Sequence, residues 1–165
     1  MVALGFGPES FDRVPRGFGV LIPRGEGYRT LGVLWDTHLF PGRSPQGQLL
    51  VRAMLGGSVD AEAARLPEDE QIALCRRELG RLFGLRAEPV FQHVAVWPRA
   101  IAQYTVGHMD RLARVEADLQ QAPALHIAGN GLHGIAFAKA AVRGLEAGRA
   151  AADQLAVHDL AGKRR

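Results

Sequence analysis

Residues 125–137, LHIAGNGLHGIAF, bring together the groups in this chain best suited to chemistry. The apolar run Leu125-His126-Ile127-Ala128 predicts a short buried strand. It runs into the turn Gly129-Asn130-Gly131, and from about Gly134 the pattern becomes that of one long helix. The first N–H groups of a helix have no intrahelical acceptor, and the helix dipole favours negative charge beside them. A glycine turn opening on such an end can therefore seat an anion or a cofactor. The same residues also suit a tight connection between strand and helix. Gly129, Gly131 and Gly134 do not have the GxGxxG spacing of a dinucleotide fingerprint, and no acidic residue follows about 20 positions on in a second strand.

Other residues extend this reading. Trp97 stands between an apolar run and Pro98, and is followed by the pair Gln103-Tyr104. This grouping suits one wall of a flat aromatic pocket, or a core aromatic at a strand end. Ala140, Gly144, Gly148 and Ala152 recur every four residues and share one helix face. Each glycine inside a helix costs roughly 0.8–1 kcal/mol relative to alanine. The stripe therefore predicts close approach of a backbone or a flat ligand, or plain helix-on-sheet packing, which is the simpler reading for the distant Gly148. The six histidines (38, 93, 108, 126, 133 and 158) contain no HxxxH pair, so no metal site is expected. No nucleophile elbow is present. Glu68, Asp69 and Glu70 read as a solvated helix start, so no catalytic set is expected.

The elements that must position these residues follow in order. Residues 1–6, 18–23, 30–35 and 48–55 predict strands, the second and third joined as a hairpin through RGEGYR, and residues 39–48 a loop rich in Pro and Gly. Pro67 and the acids behind it predict a helix start. Ile72, Cys75, Leu79 and Leu82 mark its apolar stripe and Gly84 its stop. Cys75 on that stripe reads as a small buried hydrophobe. Residues 89–98 predict a strand, and Met109, Leu112, Val115 and Leu119 an amphipathic helix ended by Pro123. Strands come first and alternate with helices later, which is an α+β pattern. The 165 residues suffice for a real core, and Lys163, Arg164 and Arg165 account for the net charge of +3. Without a basic stripe interleaved with aromatics, nucleic acid is not expected as a partner. A lone cysteine and the lack of a long apolar run or leader pattern predict a cytoplasmic protein, with association at the inner face of the cell membrane left open.

Four segments carry a resemblance: GFGVLIPR (17–24), LGVLWDTHLFPGR (31–43), WPRAIAQYTVGH (97–108) and HIAGNGLHGIAF (126–137). In this order, over residues 2 to about 155, they resemble oxygen-dependent protoporphyrinogen oxidase, of the flavin-containing amine oxidoreductase group. The resemblance implies the C-terminal part of an FAD-binding fold of the p-hydroxybenzoate-hydroxylase type, plus part of a sheet-based substrate domain. Residues 1–96 would be the remainder of the substrate-domain sheet and helix, 97–158 the C-terminal part of the FAD-binding domain, and 159–165 a basic tail. It implies FAD as cofactor in a complete enzyme, a tetrapyrrole substrate, and oxidation of protoporphyrinogen IX to protoporphyrin IX in haem biosynthesis. Trp97, Ile101, Gln103 and Tyr104 would lie beside or behind the flavin. Gly129 and Asn130 match the family's Gly-Asn, and Gly134, Ile135, Ala136 and Phe137 lead into the helix that meets the ring. Ala102, Ala136 and Lys139 depart from the family pattern, in which proline, glycine and Asn-Asp or Pro-Asp stand. The GxGxxG half is not in this chain. The expectation is a segment inactive without an N-terminal-half polypeptide and prone to self-association. A stand-alone, non-catalytic interaction module derived from the same scaffold is the alternative.

Overall fold

The amino-terminal residues alternate inward and outward, and that alternation sets the architecture. In the computed structural model, which describes residues 1–13 and 16–162 with side chains to residue 156, Val2–Phe6 forms strand β1. Val2, Leu4 and Phe6 on it are wholly buried. Gly19–Leu21 (β2), Thr30–Trp35 (β3), Leu49–Leu55 (β4) and Phe91–Val94 (β5) complete an antiparallel sheet of order β2-β3-β4-β1-β5. Because side chains alternate along a strand, Val2, Val33, Val51, Ala53 and Leu55 share one face and meet a helix there. Between β3 and β4, Asp36–Leu39 forms a single helical turn, α1, just before the expected loop.

That helix, α2, is Glu68–Phe83. Glu68, Asp69 and Glu70 fill its first turn, where the dipole favours them, and are exposed as expected. It ends where Gly84 takes a left-handed conformation (φ 67°) and its N–H bonds the carbonyl of Gly80 at 2.9 Å. Ile72, Cys75 and Leu79 are buried against the strands. Burial pushes the Cys75 thiol up to about 12, as befits a packing residue. Glu78, 3% exposed, accepts the N–H of Arg29 through one oxygen and that of Thr30 through the other, both at 2.9 Å, and so fastens β3 to the helix.

The chain divides into two compact units, Met1–Trp97 and Pro98–Arg165. The first holds the sheet, α1, α2 and the core cluster. The second holds His108–Gln120 (α3) and Phe137–Gly162 (α4). The tail assigned to 159–165 lies outside the described residues except for the backbone of its first four positions. No helix among the described residues is long and apolar enough to cross a membrane.

The second unit departs from the sequence reading at three points. Residues 125–128 form no strand pairing and are not buried, with Leu125 and Ile127 about half exposed and the N–H of Leu125 bonded to the carbonyl of Ala122 in a turn. A strand needs a neighbour for its N–H and C=O groups, and the described residues of this unit supply none. The long helix begins at Phe137 rather than near Gly134. The two glycines of its small-residue stripe pack against nothing: a Cβ built at Gly144 or Gly148 would meet nothing within 4 Å, and Ala140, Ala147, Ala150 and Ala151 are the partly buried residues there.

Candidate functional site

The bend 129–134 is held by side chains from the stretch just ahead of α3 and from α3 itself. Gly107 adopts a left-handed conformation (φ 80°) and starts that helix, and Arg111 reaches back to Thr105, Nη2 to Oγ1, at 2.8 Å. This fixes Tyr104 three residues before the helix start. Its hydroxyl donates to the carbonyl of Asn130 at 2.8 Å and accepts the N–H of Gly134 at 2.7 Å, joining the two ends of the bend. Its ring stacks on His108 with centroids 3.9 Å apart and planes 7° from parallel. Nε2 of His108 lies 2.9 Å from the carbonyl of Leu132; since a carbonyl only accepts, this nitrogen carries the hydrogen. Two helical turns further on, Glu116 Oε1 is 3.4 Å from His133 Nε2. Four of the five residues 130–134 are thus tethered.

The hold leaves the helix start open. Ile135 is half exposed, Ala136 is exposed and Phe137 is 90% exposed. The first bond of α4 runs from the N–H of Ala140 to the carbonyl of Ala136 at 3.1 Å, so the N–H groups of residues 137–139 precede the helical ladder. Gly129 (φ 153°) and Gly134 (φ 122°) are required by backbone conformation rather than by crowding. A Cβ at 129 would meet nothing within 4 Å, and one at 134 only the side chain of Lys139 at 3.5 Å.

Of the residues singled out by sequence, the fold brings Tyr104, Asn130 and Gly134 into direct contact. Gln103 turns back on its own segment, donating to the carbonyl of Ile101 at 3.0 Å, and Ile101 is 60% exposed. Trp97 is the last residue of the first unit and is 58% exposed, so it is not the core aromatic that its place after a strand also suggested. β5 ends at Val94, three residues before it, and Pro98 follows, which leaves it beyond the core. A groove of about 420 Å³ between α3, residues 123–127 and α4, floored by Leu119, Ile127, Ala147 and Ala150, lies beside the bend and includes neither Asn130 nor residues 134–137. Sequence reasoning missed His108 and Glu116. The available signal was an aromatic–imidazole pair at i and i+4 (104 and 108) flanking a helix start.

The profile of the family "flavin containing amine oxidoreductase" matches residues 4–156. The chloroplastic protoporphyrinogen oxidase of Nicotiana tabacum is 33% identical over 81% of this chain and 23% of its own length. The chloroplastic/mitochondrial protoporphyrinogen oxidase 2 of Arabidopsis thaliana is 34% identical over 86% of this chain and 28% of its own. The coproporphyrinogen III oxidase of Bacillus subtilis is 27% identical over 81% and 29%. The chain thus spans about a quarter of the length of these relatives. A crystal structure of a protein described as a protoporphyrinogen oxidase from Exiguobacterium superposes with a TM-score of 0.67 at 20% identity, covering 94% of this chain and 33% of that one. With a family match over residues 4–156, nearly its whole length, this chain belongs to the flavin-containing amine oxidoreductases.

Proposed function

We propose that this chain is the C-terminal segment of a protoporphyrinogen-oxidase-like FAD enzyme, with residues 97–158 supplying part of the flavin site and residues 1–96 part of the substrate domain. One observation carries the reading: the bend 129–134 is tethered by Tyr104 and His108 while the backbone beyond it, at 135–139, stays open to solvent. The residues present fit a flavin. Space stands open over Gly129 and Gly131, where a Cβ would meet nothing within 4 Å, and the free N–H groups at the start of α4 suit the electron-rich edge of a reduced ring. Ala136 is exposed, so its methyl blocks nothing within its own unit. When bound, FAD would accept hydride from the porphyrinogen and pass its electrons to oxygen. The residues of this chain would hold and orient it: Gly129, Asn130, Gly134, Ile135, Ala136 and Phe137 through backbone, and Trp97, Ile101, Gln103 and Tyr104 beside or behind them.

Residues 1–165 hold no GxGxxG segment, so an N-terminal half, covalent or as a separate polypeptide, is the proposed partner and a tetrapyrrole the proposed substrate. The apolar residues at the surface of unit 98–165, Val106, Met109 and Phe137 among them, suit such a partner or self-association. The proposed location is the cytoplasm, where a peripheral place at the inner face of the cell membrane is compatible with the reading. The test is co-expression with the portion of the Bacillus subtilis relative that lies outside the matched segment. The purified complex is expected to carry visible flavin absorbance and the chain alone to be colourless. A complex that forms without flavin, or no complex at all, would favour the stand-alone interaction module.

A further inference from the structure

We propose that Tyr104 is a positioning residue that preforms the flavin-facing bend before any ligand arrives. The proposal rests on the flavin reading above, and its geometry lies within a single unit. One hydroxyl satisfies the carbonyl of Asn130 at 2.8 Å and the N–H of Gly134 at 2.7 Å, so residues 130 and 134 of the bend are fixed through one oxygen. The ring cannot swing to release them without leaving His108, stacked 3.9 Å away, and His108 in turn holds Leu132 from the bend's middle. Gly134, at φ 122°, occupies a conformation that glycine reaches but does not specially favour over others, so an external tether must select it. Tyr104 supplies that tether. It also takes up the Gly134 N–H, while the N–H groups of 137–139 meet no acceptor among the described residues. A bend ordered in advance spares a ligand the cost of ordering it, which raises affinity without adding a contact.

The informative variant is Tyr104→Phe, which keeps the ring and its stack and deletes only the hydroxyl. Tyr104 is 41% exposed, so the fold tolerates the change. In the full chain without flavin, the Gly134 amide is expected to exchange with solvent at least about fivefold faster in the variant, the loss of one hydrogen bond, while β1 amides are unchanged. In the flavin-loaded complex, the Kd for flavin is expected to weaken about fivefold, with thermal stability retained. A Gly134 amide that is unprotected in the wild type, or equally protected in both proteins, overturns the tether. Lost protection with an unchanged Kd overturns the positioning role. The exchange measurement needs no cofactor, so a complex that takes up no flavin counts against the flavin reading and leaves the tether decided by exchange.

Discussion

Replacing Glu78 is expected to be among the most damaging single changes in unit 1–97. Its carboxylate is almost wholly buried, and each oxygen accepts a backbone N–H at 2.9 Å, from Arg29 and from Thr30. Glu78→Ala leaves both donors without a partner. Each unsatisfied buried donor costs about 1–3 kcal/mol, so the gross loss is about 2–6 kcal/mol. Removing a desolvated charge returns part of this, leaving about 2–4 kcal/mol net. Glu78→Gln keeps the size and one acceptor oxygen but turns an amide NH₂ toward the second donor, for a loss of about 1–3 kcal/mol. Against a typical domain stability of about 5–15 kcal/mol, both are large. Urea unfolding followed by circular dichroism measures them. The expected order of midpoints is wild type, then Gln, then Ala, with similar denaturant slopes. An Ala variant within about 0.5 kcal/mol of wild type, or a Gln variant less stable than Ala, would refute the two-acceptor account.

Further outcomes follow from other residues. Gly84→Ala should lower the melting temperature: it forces a side chain into the left-handed region at φ 67° and onto the carboxylate of Asp12, at a cost of about 1 kcal/mol or more. The Cys75 thiol is raised from 9.0 to about 12, so the folded state binds a proton that the unfolded state loses above pH 9. Stability should therefore be intact below pH 9 and fall by up to about 1.4 kcal/mol per pH unit toward pH 12, a slope missing in Cys75→Ala. Asp60 is held below its ordinary range, first by the hydrogen bond from Arg29 (2.6 Å) and then by the N–H of Ala63. Its contribution is present above its unfolded value and lost as pH falls through its folded one. Asp60→Asn should remove that part of the acid transition in a pH titration of unfolding.

The sheet was legible because its signals are local. The apolar run of residues 1–6, the turn between β2 and β3, and the acids and closing glycine around α2 all lie within a few residues of what they determine. The second unit was read less well for one physical reason. Residues 125–128 have the composition of a strand, but strand pairing depends on a neighbour, which the second unit's described residues do not supply. The stripe Ala140, Gly144, Gly148 and Ala152 likewise implies a partner surface, and among the described residues none meets Gly144 or Gly148. At the candidate site, the glycines and Tyr104 stood out by type. Their connection through one hydroxyl spans 26 and 30 residues and is a tertiary event, whereas the stack of His108 on the ring is local, at i and i+4 across a helix start.

Amide chemical shifts of the isotope-labelled chain, assembled with the remaining portion of the Bacillus subtilis relative and compared with and without FAD, test the central claim most directly. The account predicts that the largest changes fall on residues 129–137, with the Trp97 indole N–H moving as well. Changes confined to other parts of the chain, with 129–137 unmoved in a complex that does hold FAD, would contradict it.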